Sequence, residues 1–189
     1  KHGVADDDVF ARVAFDMAGL AQKGGSVFSH VQIASSPQHL HATRIAMGEA
    51  NLIIGGDAIV SASADALQKT LPGKTQAVIN SAQSPTADFV RNPDWAFPAQ
   101  SCEKEIEQFL GGAEFANFVD AQQLAVSLLG DAIYANPLLL GWAWQKGWVP
   151  LALESITRAM ELNAVAIDAN KAAFLWGRIA AHDPAGFER

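Results

Sequence analysis

The sequence predicts an α/β fold: a mostly parallel sheet with flanking helices, followed by an all-helical C-terminal region. Three observations carry this. A short apolar run at 51–60, a helix-like segment at 63–71 and a strand-like run at 75–80 spell a crossover unit. From Ala121 onward the pattern is helical throughout. Near the N-terminus, a glycine-rich turn at 16–26 joins two strand-like runs.

Length and composition bound what such a fold can do. A chain of 189 residues has room for a full hydrophobic core, and one domain is the default. The net charge of −7 argues against a general nucleic-acid binder, because phosphate affinity comes largely from clustered Lys and Arg. The single cysteine, Cys102, makes no internal disulfide and cannot hold an iron–sulfur cluster, which takes four protein ligands. It reads as a half-buried thiol on a helix, and so few cysteines fit a cytoplasmic protein. The most apolar stretch, Ala132–Trp148, includes Asn136, Pro137, Gln145 and Lys146. That is a buried helix rather than a bilayer span, which takes about 20 apolar residues.

In chain order, Asp6-Asp7-Asp8 reads as a solvated loop, since adjacent carboxylates diverge. The run Val9–Phe15 leads into the turn, and Val27, Ser29 and Val31, alternating with Phe28, His30 and Gln32, lead out. Gly19, Gly24 and Gly25 shape that turn, with Gln22 and Lys23 at its tip. Ser35-Ser36-Pro37 ends the second strand. His39 and His41 would share a strand face, but no third metal ligand lies nearby. The region from Asn51 through Ala58-Ile59-Val60 reads as a strand buried on both faces. Ser63 then caps a helix with Leu67 and Leu71 on one side, stopped by Pro72-Gly73, and Thr75–Asn80 is the next strand.

Strand, helix and strand make these two strands parallel, so ligands or partners are expected at their C-terminal loops, Gly55–Ser63 and Asn80–Thr86. Gly55-Gly56-Asp57 lacks the spacing of a dinucleotide or phosphate loop. A proline-bearing excursion over 84–98 includes a short hairpin around Phe89-Val90. Ser101–Leu110 is a helix with Ser101 as its cap and Gly111-Gly112 as its stop. Phe115–Asp120 is a late strand. Helices follow at Ala121–Leu129, at Ile133–Lys146 (kinked or restarted at Asn136-Pro137), around Leu153, Ile156 and Met160, and from Asn163 to Ala181. Trp142, Trp144, Trp148 and Trp176 gather in this half and read as core. The division is therefore an α/β domain over 1–120 and a helical extension over 121–189 packed on it.

Several segments together resemble a known family. They are D-M-A-G-L-A-Q-K-G-G-S-V-F-S-H-V-Q-I at 16–33, G-G-D-A-I-V-S-A-S at 55–63, A-V-I-N at 77–80, S-P-T-A-D-F at 84–89, L-L-G-D-A-I-Y-A-N at 128–136, L-G-W-A-W-Q-K-G at 140–147 and A-F-L-W-G-R-I-A-A-H-D-P at 173–184. The pattern is similar to the gamma domain of 2-oxoacid:ferredoxin oxidoreductases, closest to indolepyruvate ferredoxin oxidoreductase. The resemblance implies a Rossmann-like sheet and oxidative decarboxylation of a 2-oxo acid to an acyl-CoA. It implies thiamine diphosphate, iron–sulfur clusters and coenzyme A for the whole enzyme, with none of them on this chain. The implied partners are the thiamine- and cluster-bearing domains or subunits and, through them, ferredoxin, without nucleic acid or membrane. Members usually open with a strand, a Gly-rich turn and a helix before the segment matched at 16–33, a unit this chain is expected to lack. No catalytic residue carries over. Gly19, Gln22, Lys23, Gly24, Gly25 and Ser29 are the expected face toward the thiamine-bearing domain. The alternative is a stand-alone α/β domain that binds a small ligand or protein at its sheet edge.

Overall fold

The computed structural model describes residues 10–17, 26–34, 42, 44–82 and 99–187. They fall into two units, Lys1–Ala46 and Met47–Arg189. The expectations for Asp6-Asp7-Asp8, His39, His41 and the hairpin around Phe89-Val90 lie outside the described residues.

In the first unit, β1 (Phe10–Met17) pairs antiparallel with β2 (Phe28–Ala34), with a register shift between Ala11 and Ala14. The alternation expected in β2 is present. Val27 and Val31 lie on its exposed side, at 59% and 56% exposure, while His30 is buried. The His30 Nδ1 accepts a hydrogen bond from the Ile45 backbone N–H at 3.3 Å, which offsets the cost of burying the ring.

The second unit carries the parallel sheet, in the order β3 (Leu52–Gly55), β4 (Gln76–Asn80), β5 (Ala116–Val119). The central strand β4 is covered on both faces, and its period of two splits the core. Ala77 and Ile79 pack with Ala58, Leu67, Ile106 and Leu110 on one face. Val78 packs with Leu138, Leu139 and Trp142 on the other. A continuous apolar run is what such a strand needs.

The first face is covered by two one-turn helices, α1 (Ala58–Ser61) and α2 (Ala64–Leu67), and by α3 (Ala99–Leu110). Three expectations are corrected here. Ala58-Ile59-Val60 is helix, not strand, because the Asp57 carboxylate accepts from the Val60 N–H at 2.9 Å and starts a turn. The helix capped by Ser63 stops at Leu67, so Leu71 lies beyond it, and Thr70 instead bridges Ala50. Helix α3 begins at Ala99, which places Ser101 inside its first turn rather than at its cap. Its far end is as expected: Gly111, at φ +92°, and Gly112 both donate to the Glu107 carbonyl.

The second face is covered by α4 (Ala121–Leu129), α5 (Ala135–Gln145) and α7 (Ile167–His182). Asp120 caps α4 and Gly130, at φ +83°, closes it. The restart expected near Pro137 takes the form of a 3-10 turn at Ala132–Tyr134 that runs into α5, with Pro137 in the first turn, where its missing N–H costs nothing. Helix α6 (Leu153–Asn163) precedes α7. Ala164 and Ala166 lie at positive φ between them, so α7 starts at Ile167 rather than Asn163. The short α8 (Pro184–Phe187) follows. No helix among the described residues is long and apolar enough to cross a membrane.

Helices α5 and α7 cross in close contact. A Cβ on Gly141 would overlap the Phe174 carbonyl, and one on Gly177 would overlap the Leu138 carbonyl. Beside the crossing, the Arg178 guanidinium stacks 4.6 Å from the Trp144 ring centre. Arg178 Nε donates to Gln145 Oε1 at 3.1 Å, and Trp144 Nε1 donates to the Leu151 carbonyl at 2.8 Å. The segments L-G-W-A-W-Q-K-G and W-G-R therefore meet as one packed joint.

Candidate functional site

The C-terminal ends of β3, β4 and β5 share one edge, as parallel strands dictate. Asn80, the last residue of β4, is buried there. Its Nδ2 donates to the Gly56 carbonyl at 3.2 Å. Its Oδ1 accepts from the N–H groups of Ala82 at 3.3 Å and Ala121 at 3.1 Å. One amide thus ties the loop after β3, the loop after β4 and the start of α4.

Glycine at position 55 is a packing requirement. A Cβ there would overlap the Ser61 hydroxyl, which donates to the Asp57 carbonyl at 2.6 Å. The Gly-Gly-Asp motif thus starts a helix beneath the sheet edge. Asp120, after β5, accepts from the Gln123 N–H at 2.8 Å and is committed to capping α4.

Between Ser81, the end of β5, α4, α5 and the C-terminal helices lies a cleft of about 420 Å³. Phe118, Trp142 and Phe187 give it an aromatic lining; Ser81, Asp120, Gln123 and Ser127 give it polar groups. The Ser81, Gln123 and Ser127 side chains make no hydrogen bond among the described residues. Trp142 is 6% exposed, and its buried Nε1–H has no partner among the described residues. An unsatisfied buried donor costs about 1–3 kcal/mol. Among the described residues no Lys or Arg lines the cleft, and Asp120 is its one charged group.

Cys102 is buried on α3, more deeply than the half-buried thiol expected. Burial first, then the charges of Glu105, Asp57 and Glu103, push its thiol pKa up. It is a packing residue held in the neutral form. No group of three His, Cys, Asp or Glu side chains among the described residues converges to hold a metal ion. With one cysteine in the chain, these residues do not fit an iron–sulfur cluster.

Of the residues expected to face a partner, Gly19, Gln22, Lys23, Gly24 and Gly25 lie outside the described residues. Ser29 is on the exposed side of β2. The roles of Asn80 and Trp142 were missed by motif reading. A polar residue ending an apolar strand is the local signal for Asn80; Trp142 has none that separates it from ordinary core.

A family model described as pyruvate ferredoxin/flavodoxin oxidoreductase matches residues 4–180. Comparison with curated proteins gives no match. With its three-stranded parallel sheet between two helical layers and a match over nearly its whole length, the chain belongs to the pyruvate ferredoxin/flavodoxin oxidoreductase family, the 2-oxoacid:ferredoxin oxidoreductases.

Proposed function

We propose that this chain is the gamma-type module of a 2-oxoacid:ferredoxin oxidoreductase of the indolepyruvate kind. The observation that carries this reading is the family match over residues 4–180. It is supported by the joint presence of the A-G-L-A-Q-K-G-G and W-Q-K-G segments. The whole enzyme would oxidise an aryl 2-oxo acid, release carbon dioxide, join the acyl group to coenzyme A and pass two electrons to ferredoxin. Thiamine diphosphate and the clusters would sit on partner domains or subunits, in the cytoplasm. Residues 1–120 would form the gamma-type domain and 121–189 its helical extension. The module would shape and pack the catalytic domains, with Gly19, Gln22, Lys23, Gly24, Gly25 and Ser29 facing the thiamine-bearing one.

The test begins with source-cell extract, probed with an antibody to this chain, with associated proteins identified by mass. Support is a band far above the chain's own 20.1 kDa, or a cysteine-rich thiamine protein captured with it. The captured assembly should reduce ferredoxin when given indolepyruvate and coenzyme A. A lone species of the chain's own mass, with no such partner, overturns the reading. In the assembly, replacing Gln22 and Lys23 with Ala should lower turnover or assembly; unchanged values for both would remove that face. The second reading, a stand-alone ligand-binding domain, is favoured by one observation: the cleft at the sheet's C-terminal edge.

A further inference from the structure

Helix α6 is held to its unit by little. Ile156 is the one buried side chain among its 11 residues, whereas α5, of the same length, buries six. Leu153, Thr157, Met160 and Glu161 are half-buried, and the remaining residues of the helix are exposed, Leu162 at 69%. Its tie to α7 is the hydrogen bond that Lys171 Nζ donates to Glu161 at 2.7 Å, and both side chains are partly open to solvent. An ion pair in that setting adds little.

The joint between α6 and α7 is strained. Ala164 (φ +56°, ψ +21°) ends α6 and Ala166 (φ +42°, ψ +45°) precedes α7, both in the left-handed region. A Cβ there crowds the following carbonyl, which is why helices that end this way commonly do so on glycine. Here two alanines take that conformation within three residues. Asn170 Nδ2 donates to the Val165 carbonyl at 2.9 Å and pins the joint from the α7 side. These dihedrals set the angle between the two helices, so relaxing either one turns α6 relative to α7. Strain of this kind persists only where surrounding contacts enforce it, and the contacts of α6 are few. A segment with little buried surface belongs to the least stable part of a domain. We propose that α6 is a strap that leaves α7 as a unit, turning on Ala164 and Ala166, while the sheet and the α5–α7 crossing stay folded. The released strap bares an apolar stripe, Leu153, Ile156 and Met160, spaced three and four apart. The inference rests on the joint and its packing, not on the function proposed above.

Native-state hydrogen exchange of the full chain, followed through rising urea below the unfolding transition, tests this. Once undocked, a helix of 11 residues is marginal in water, so its amides exchange. Amides 157–163 should share one opening that hardly responds to urea, with protection at least about a hundredfold below that of mid-α5. Equal protection and equal urea dependence in α6 and α5 overturn the proposal. Ala164→Gly and, independently, Ala166→Gly remove strain that only the closed form bears. Each should raise the protection of α6 about fivefold, the low end of what a Cβ costs in this conformation. No gain from either variant overturns the proposal as well. Asn80→Ala breaks contacts that the closed and open forms share. It should therefore lower the protection of α5 and leave that of α6 unchanged. If α6 instead falls in step with α5, it opens only with the whole fold, and the strap does not exist.

Discussion

Gly141 of α5 lies directly against the Phe174 backbone of α7, with no room for a Cβ between them. The contact is reciprocal, because Gly177 of α7 lies in the same way against the Leu138 backbone of α5. Ala in place of either glycine must push the helices apart. Overpacking of this kind costs about 1–3 kcal/mol, and more where only backbone can yield. Gly141→Ala and Gly177→Ala should each lower the urea midpoint by that scale. The double variant should cost less than the sum of the two, since one displacement relieves both clashes. Unchanged midpoints would show that the crossing is looser than described.

Asn80→Ala removes the amide that joins three segments. The Ala121 N–H loses its partner in a buried place, a loss of about 1–3 kcal/mol, while the exposed Gly56 carbonyl can turn to water. Hydrogen exchange gives the sharper readout. The Ala121 amide should lose protection selectively, while amides in mid-α5 follow only the global change. Uniform loss across the domain would make Asn80 an ordinary core residue.

Cys102 should resist alkylation in the folded chain. It is buried, and a raised pKa keeps the thiolate, the reactive form, scarce at neutral pH. Iodoacetamide should label it at a rate limited by opening of the fold, and quickly in denaturant. Fast labelling without denaturant would mean that α3 opens readily.

Glu161 accepts from Lys171 Nζ at 2.7 Å and from Arg158 at 2.9 Å, so α6 and α7 share a carboxylate. The hydrogen bond from Lys171 first, then that from Arg158, hold its pKa below the usual value. A lowered folded pKa stabilises above the unfolded pKa of about 4.3, and that stabilisation is lost as pH falls through the folded value. Glu161→Gln should therefore be slightly less stable than the parent at pH 7, and the gap should close in acid. Added salt should narrow it too, since the pair is exposed to solvent. A gap independent of pH would assign the effect to side-chain packing.

What the sequence made legible was local chemistry. The helix Ala121–Leu129 was read with its bounds, whereas Asp120, read as the end of the preceding strand, is its cap. The crossover from β3 to β4 was legible for the same reason. Ala58-Ile59-Val60 was misread because an apolar triplet suits a strand or a helix equally, and the Asp57 cap decides between them. Long-range contacts were hidden. The bonds of Asn80 span 24 and 41 residues, and no pattern announces them. The cleft draws on four separate stretches, so it exists only once the chain is folded. The tryptophans read as core from the sequence, but the joint they make was hidden, with Gln145 meeting Arg178 across 33 residues and Trp144 lying under the same guanidinium.

The crossing of α5 and α7 has a thermal consequence. Gly141 and Gly177 are in contact there, and Ala143, Ala173, Ala180 and Ala181 of the same two helices are buried, side chains with no rotamers to freeze. At these positions docking loses almost no side-chain entropy, and the entropic cost falls on the flanking Leu138, Trp144, Phe174 and Arg178. A leucine-lined crossing would forfeit about 0.5–1 kcal/mol for each side chain it immobilised, a loss that grows with temperature. At the glycine and alanine positions that loss is avoided, and close backbone approach adds dispersion contacts. On heating, this pair of helices should be among the last parts of the domain to separate.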